Sequence, residues 1–154
     1  MNKVRGVAMV ELAIVLPILL VLFLGITELG RALLFQHRLT HSAEAGARYA
    51  ARAFGAVADD CSTTAAWPTA VTNARQLAAF GQLGSADPVV PGLDADAVEV
   101  EIVVRDVTDV GTTCIVAVTV TVQYEGIFGS DLIPLLDLPQ PLLSARSEER
   151  YVGE

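Results

Sequence analysis

A single carboxylate, Glu11, lies inside an otherwise apolar segment that runs from residue 7 to residue 26. Twenty residues in a helix span about 30 Å, which matches the hydrocarbon thickness of a bilayer. An ionised side chain costs about 2.5–3.5 kcal/mol at the centre of a membrane and less towards either surface. An acid in this position therefore indicates a function and calls for a cationic partner.

The residues before Glu11 suggest such a partner. Cleavage after Gly6 would give Val7 a free ammonium group, and in a packed filament this cation would pair with Glu11 of a neighbouring subunit. A glycine, four intervening residues, a glutamate and an apolar helix together resemble the processing site of type IV prepilins.

Similarity to one prepilin-related family extends over residues 5–52. It is carried by three segments, Glu11-Leu12-Ala13-Ile14-Val15-Leu16-Pro17, Gly25-Ile26-Thr27-Glu28-Leu29-Gly30-Arg31 and Ala43-Glu44-Ala45-Gly46-Ala47-Arg48-Tyr49-Ala50-Ala51. They resemble the TadE-like pseudopilins, which are minor pilins of the tight-adherence (Tad, or Flp) pilus apparatus. Family members often have an aromatic residue after the glutamate, where this chain has Leu12.

The resemblance implies a set of functional residues and partners. A prepilin peptidase would recognise Gly6 and Glu11 and cut before Val7. Subunit assembly would involve Val7, Glu11 and Pro17, because a proline near this depth marks a region that unwinds in related filaments. The expected partners are the peptidase, other pilins or pseudopilins, and the Tad assembly machinery.

Two other interpretations of the N-terminal region stay open. A basic flank and an apolar helix occur in any single-pass membrane protein, so the chain could be an uncleaved envelope protein that acts as an adaptor in a secretion complex. A cleaved secretory signal needs small residues just after its apolar core, and Leu24-Gly25-Ile26-Thr27 fits that pattern poorly. The short N-terminal tail before a first helix favours an inner-membrane protein with its N-terminus in the cytoplasm and its bulk outside.

The remaining reactive residue types form no recognisable active site. His37 and His41 stand four residues apart with Glu44 nearby, a spacing that can hold zinc on a helix face but lacks the HExxH order and further ligands. The acidic pairs lack the EF-hand pattern, and no Gly-x-Ser-x-Gly elbow or phosphate-binding glycine loop occurs. We therefore predict a non-enzymatic protein without a cofactor, a metal ion or a small-molecule substrate.

Charge is divided unevenly between the two parts of the chain. The 154 residues carry a net charge of −8, with 6 basic and 3 acidic residues in 1–53 but 4 basic and 15 acidic residues in 54–154. Affinity for nucleic acid rests on contacts of Lys and Arg with phosphates, so the acidic part argues against a nucleic-acid partner. The length permits one small domain beside a membrane helix.

Cys61 and Cys114 are the two cysteines of the chain. In an oxidising compartment they are natural disulfide partners, and the alternative is a pair of unrelated buried thiols.

Periodicity predicts two helices. Sequence compatible with a helix continues to residue 54, and the small or apolar residues at positions 43, 47, 50 and 54 form a narrow stripe for close packing. Pro17 lacks an N–H group and is expected to kink or locally open the first helix. A second, short helix is expected over residues 69–80, with Pro68 in its first turn and Gly81 as its C-terminal cap.

Alternation of apolar and polar residues predicts strands. Residues 97–106 and 113–124 should form an antiparallel hairpin whose valines face the long helix. A polar third strand over residues 142–151 should lie at an edge. The connection 125–141 contains apolar residues that either form an interaction surface or tuck under the sheet.

The sequence thus predicts an α+β protein with a pilin-like helical spine and a sheet of about three strands. Four regions are expected: a basic leader (1–6), a transmembrane helix (7–27), its extracytoplasmic continuation (28–55) and a small head domain (56–154). The predicted function is that of a structural minor pilin in adhesion and surface attachment.

Overall fold

The computed structural model describes residues 3–107, 111–127 and 140–153 and has the predicted α+β architecture. Within these ranges, two α-helices precede a three-stranded antiparallel sheet: α1 Lys3–Ala51, α2 Trp67–Phe80, β1 Val98–Val107, β2 Gly111–Gln123 and β3 Leu142–Arg150. Most of the predicted apolar loop, residues 128–139, lies outside the described residues.

Contacts divide the chain into two compact units. Unit 1 comprises Met1–Leu33 and Glu125–Gln140, and unit 2 comprises Leu34–Tyr124 and Pro141–Glu154. The sheet and α2 belong to unit 2, whereas the apolar first part of α1 belongs to unit 1.

The part of α1 in unit 1 has the surface of a membrane-spanning helix. The helix is long and apolar enough to cross a membrane. Its large apolar side chains are exposed, including Leu12, Leu20 and Phe23. Such a surface is favourable in hydrocarbon and unfavourable in water, so it fits membrane anchoring. The helix continues through Pro17, so the local opening expected there does not end it.

Small residues let the later part of α1 pack closely within unit 2. Three alanines of the predicted stripe are fully buried: Ala43, Ala47 and Ala50. Beside them, a Cβ atom placed on Gly46 would lie 3.1 Å from the Cβ of Ala78 on α2. The prediction that Phe54 is the fourth member of this stripe is wrong. The helix ends at Ala51, which turns Phe54 out of the helical spacing and leaves it 79% exposed.

The second helix has the predicted boundaries to within two residues. Pro68 lies in its first turn, where a missing N–H breaks no intrahelical hydrogen bond. Gly81 caps the C-terminus with φ +73°, and its N–H donates to the carbonyl oxygen of Leu77 at 2.9 Å. The buried face consists of alanines: Ala70, Ala74, Ala78 and Ala79.

The sheet confirms the predicted hairpin and edge strand. Its order is β1-β2-β3, and the register pairs Val120 of β2 with Val98 on one side and Ala145 on the other. The predicted valine face of β2 is buried: Val116, Val118, Val120 and Val122. Burial falls off along β1, however, so Val104, expected on the buried face, is 55% exposed.

The C-terminal residues close the end of α1. The hydroxyl of Tyr151 donates to the carbonyl oxygen of Ala53 at 2.7 Å and accepts from the N–H groups of Ala56 and Val57 at 3.0 and 3.2 Å. The N–H of Val152 donates to the carbonyl oxygen of Ala51 at 2.9 Å. Backbone groups at and beyond the helix end thereby gain the partners that the helix itself does not supply.

Substitution of Gly46 by leucine should destabilise unit 2, because the added side chain has no room between α1 and α2. Overpacking of this kind costs about 1–3 kcal/mol. The matched control is Gly30→Leu on the same helix, where a new Cβ meets no atom within 4 Å. Thermal unfolding followed by circular dichroism should show a lower midpoint for Gly46→Leu alone, and equal midpoints would contradict the close packing.

Candidate processing and assembly site

The predicted processing residues all lie on the first turns of α1. Gly6, Val7 and Glu11 are within the helix, and Val7 and Glu11 are four residues apart, which places them one turn from each other on one face. Val7 is 68% exposed, and Glu11 and Pro17 are also exposed. The structure therefore presents the carboxylate to partners from outside the chain.

Helix geometry directs Glu11 towards the peptide bond that follows Gly6. Side chains on an α-helix lean towards its N-terminus, so the Glu11 side chain covers the turn that contains Val7. This arrangement suits an electrostatic role, in which the acid attracts an amine.

A second carboxylate on α1, Glu28, is buried, with only 2% of the residue exposed. Its Oε2 atom lies 3.7 Å from Nη1 of Arg31 and accepts a hydrogen bond from the N–H of Ile127 at 3.4 Å. Glu28 lies in the second of the three family-like segments of the sequence, but no role was predicted for it. The available signal was an acid two residues beyond the apolar run.

Residues 6–48 match the sequence model of a family described as TadE-like protein. This part of the chain is TadE-like. The match confirms the predicted resemblance over this region of the chain. The TadE-like region contains each predicted processing and assembly residue, and Glu28 as well. No curated protein and no solved structure matches the chain.

The TadE-like region also contains the histidine pair, which belongs to a polar row on α1. Nε2 of His37 lies 3.0 Å from Nε2 of His41, and Nδ1 of His41 lies 3.3 Å from the carboxylate of Glu44. Arg48 contacts Glu44 at 3.9 Å and Glu149 at 3.5 Å. Across the described ranges, no group of three or more His, Cys, Asp or Glu side chains is gathered as a metal site. Exposed ion pairs of this kind contribute about 0–1 kcal/mol each.

Outside the TadE-like region, a disulfide joins Cys61, in the loop after α1, to Cys114 of β2. Cys61 has φ +64°, an uncommon conformation for a residue other than glycine. Asp60 accepts hydrogen bonds from the hydroxyl of Ser62 at 2.6 Å and from its backbone N–H at 2.9 Å. The Ser62 hydroxyl, followed by that N–H, holds the pKa of Asp60 below its usual value. The turn thus fixes the backbone on both sides of Cys61.

Ion pairs also cross the exposed face of the sheet. Arg146 of β3 contacts Glu101 of β1 at 2.7 Å and Glu148 on its own strand at 3.2 Å. The hydrogen bond to Glu101, followed by that to Glu148, raises the pKa of Arg146. The contact links the two edge strands across β2.

The Cys61→Ser, Cys114→Ser double variant should unfold at a lower temperature than the parent. The bond closes a loop with a sequence separation of 53 residues, for which the chain-entropy model gives about 4 kcal/mol. Thermal unfolding of the parent before and after reduction supplies the control, since the reduced parent should behave like the variant. An unchanged midpoint in both would show that the disulfide does not stabilise the fold.

Proposed function

We propose that the protein is a non-enzymatic minor pilin or pseudopilin of a Tad/Flp-type pilus, processed by a prepilin peptidase after Gly6. The observation that supports this best is the position of Glu11. It is exposed on an apolar helix, one turn from Val7, and lies inside the TadE-like region.

The first step is processing at the membrane. The protein is anchored in the inner membrane by α1, with the leader in the cytoplasm and the acidic head outside. The peptidase recognises Gly6 and Glu11 and hydrolyses the bond before Val7. The new N-terminus carries an ammonium group at the start of the helix.

The second step is assembly with neighbouring pilin helices. The ammonium of Val7 on one subunit attracts Glu11 of another, and at 4 Å such a pair gains about 4 kcal/mol at an effective dielectric constant of 20, compared with about 1 kcal/mol in water. Pairing offsets the cost of holding a carboxylate in an apolar environment. The exposed apolar residues of α1 supply most of the remaining association free energy.

The third step places the head at the surface of the assembly. Unit 2 has a disulfide, which suits an oxidising, extracytoplasmic location. In this role the subunit contributes to pilus assembly and so to adhesion and surface attachment. Its partners are other pilins or pseudopilins and the Tad assembly machinery.

N-terminal processing is tested by intact mass and N-terminal sequencing of protein purified from membranes with and without the prepilin peptidase. A mature chain that begins at Val7 only when the peptidase is present is the expected result. Retention of the residues before Val7 under both conditions would overturn the processing step and favour an uncleaved adaptor.

Assembly is tested by Glu11→Gln, which keeps the shape of the side chain and removes its charge. We expect normal membrane insertion, because the apolar helix is unchanged, but pilus numbers reduced by roughly tenfold or more, since a loss of 1.4 kcal/mol already shifts an equilibrium tenfold. The control is Glu44→Gln, the same change at a partly exposed site further along α1. Wild-type pilus numbers with Glu11→Gln would contradict the charge-pairing step.

A further inference from the structure

Glu28 is buried, although residues next to it on α1 are exposed. Ile26 and Leu29 are 71% and 62% exposed, whereas Glu28 is 2% exposed. The residues that share its face, Leu24, Gly25 and Ala32, are partly buried. One face of α1 in unit 1 is therefore covered at the end of the apolar run.

The hydrogen bond from Ile127 to Glu28 identifies Ile127 as one of the residues that lie against this covered face. Glu28 and Ile127 both belong to unit 1. Since helix side chains lean towards the N-terminus, the Glu28 carboxylate lies over the preceding turn, the last turn of the apolar run. The N–H of Ile127, 3.4 Å from that carboxylate, consequently lies beside that turn of α1.

The side chains beside this turn combine an exposed apolar group with a cation. Ile127 is apolar and 50% exposed, and it lies beside a helix that is long and apolar enough to span a membrane. The side chain of Arg31 is 46% exposed and lies 3.7 Å from Glu28. A cation one turn beyond an apolar segment can reach lipid phosphates while its methylene groups remain among apolar atoms.

We propose that Ile127 inserts into the interfacial layer of a phospholipid bilayer and forms a second membrane contact, next to α1. Glu28 is its positioning residue, because the carboxylate holds the backbone of Ile127 against the helix. Transfer of the exposed half of an isoleucine side chain from water to an apolar environment favours the inserted position by about fivefold. This contact depends on membrane anchoring by α1 but not on cleavage after Gly6 or on pilus assembly.

The contact is measured with a spin label. The two cysteines of the chain are joined in a disulfide, so Ile127→Cys introduces a single free thiol. The full-length chain is labelled and placed, as a monomer, in nanodiscs of zwitterionic and anionic phospholipids. Power saturation then compares the accessibility of the label to oxygen, which concentrates in lipid, and to a water-soluble nickel chelate. Phe23→Cys, on the exposed surface of the apolar run, provides the lipid reference.

The label at position 127 should be more accessible to oxygen than to the nickel chelate, as at position 23. Greater accessibility to the chelate would overturn the proposal. Because each nanodisc holds one chain, this is also the result expected if Ile127 docks on another protein and not on lipid. Two variants separate positioning from general stability. Glu28→Gln keeps an acceptor for the N–H of Ile127 and should retain the oxygen preference, whereas Glu28→Ala should lose it.

Unit 2 reports whether the variants are folded, through its disulfide and its thermal midpoint. Equal accessibility ratios for Glu28→Gln and Glu28→Ala in folded protein would overturn the role of Glu28. Processing after Gly6 is read separately by mass, so a failure of this contact is distinguishable from a failure of the pilin function.

Discussion

The structure depends on one constraint: the first part of α1 exposes a large apolar surface that the rest of the described chain does not cover. Some twenty residues are apolar, and side chains around the helix remain exposed. The hydrophobic effect excludes such a surface from water. The helix therefore needs lipid, or the helices of other subunits, and both solutions use the same side chains. In the proposed pilin role, transfer from a membrane into a filament exchanges one of these environments for the other, so its free energy is much smaller than that of exposing the helix to water.

The later part of the same helix, in unit 2, buries its apolar surface in a different way. Here the apolar partner is the protein itself, and the sequence replaces large side chains by alanine and glycine. Ala43, Ala47 and Ala50 are buried, and Gly46 allows contact with Ala78 of α2. Small residues bring the backbones close enough for dispersion contacts to compensate for the missing side-chain volume. A single helix thus has bulky apolar residues where it is exposed and small residues where it packs against its own domain.

Local patterns predicted most of this fold, and non-local contacts account for the errors. The two-residue alternation determined the hairpin, and Pro68 and Gly81 marked the ends of α2 because their backbone preferences act within one turn. Phe54 was misplaced because the continuation of a helical spacing does not reveal where the helix stops. Val104 was misplaced because burial depends on what covers a strand, which its own alternation does not specify. At the candidate site, the spacing of Gly6 and Glu11 was readable, whereas the contact of Glu28 with Ile127 joins residues 99 positions apart.

The covalent link between Cys61 and Cys114 has a mechanical consequence if the chain is placed under tension. A force that pulls on α1 and on the C-terminal end of the chain is carried across the disulfide, so the residues between the two cysteines cannot be drawn out. Fully extended, a segment with this separation of 53 residues would lengthen the chain by about 180 Å. The bond confines extension to the chain outside this loop, so the larger part of the head keeps its length under a load that would otherwise unravel it.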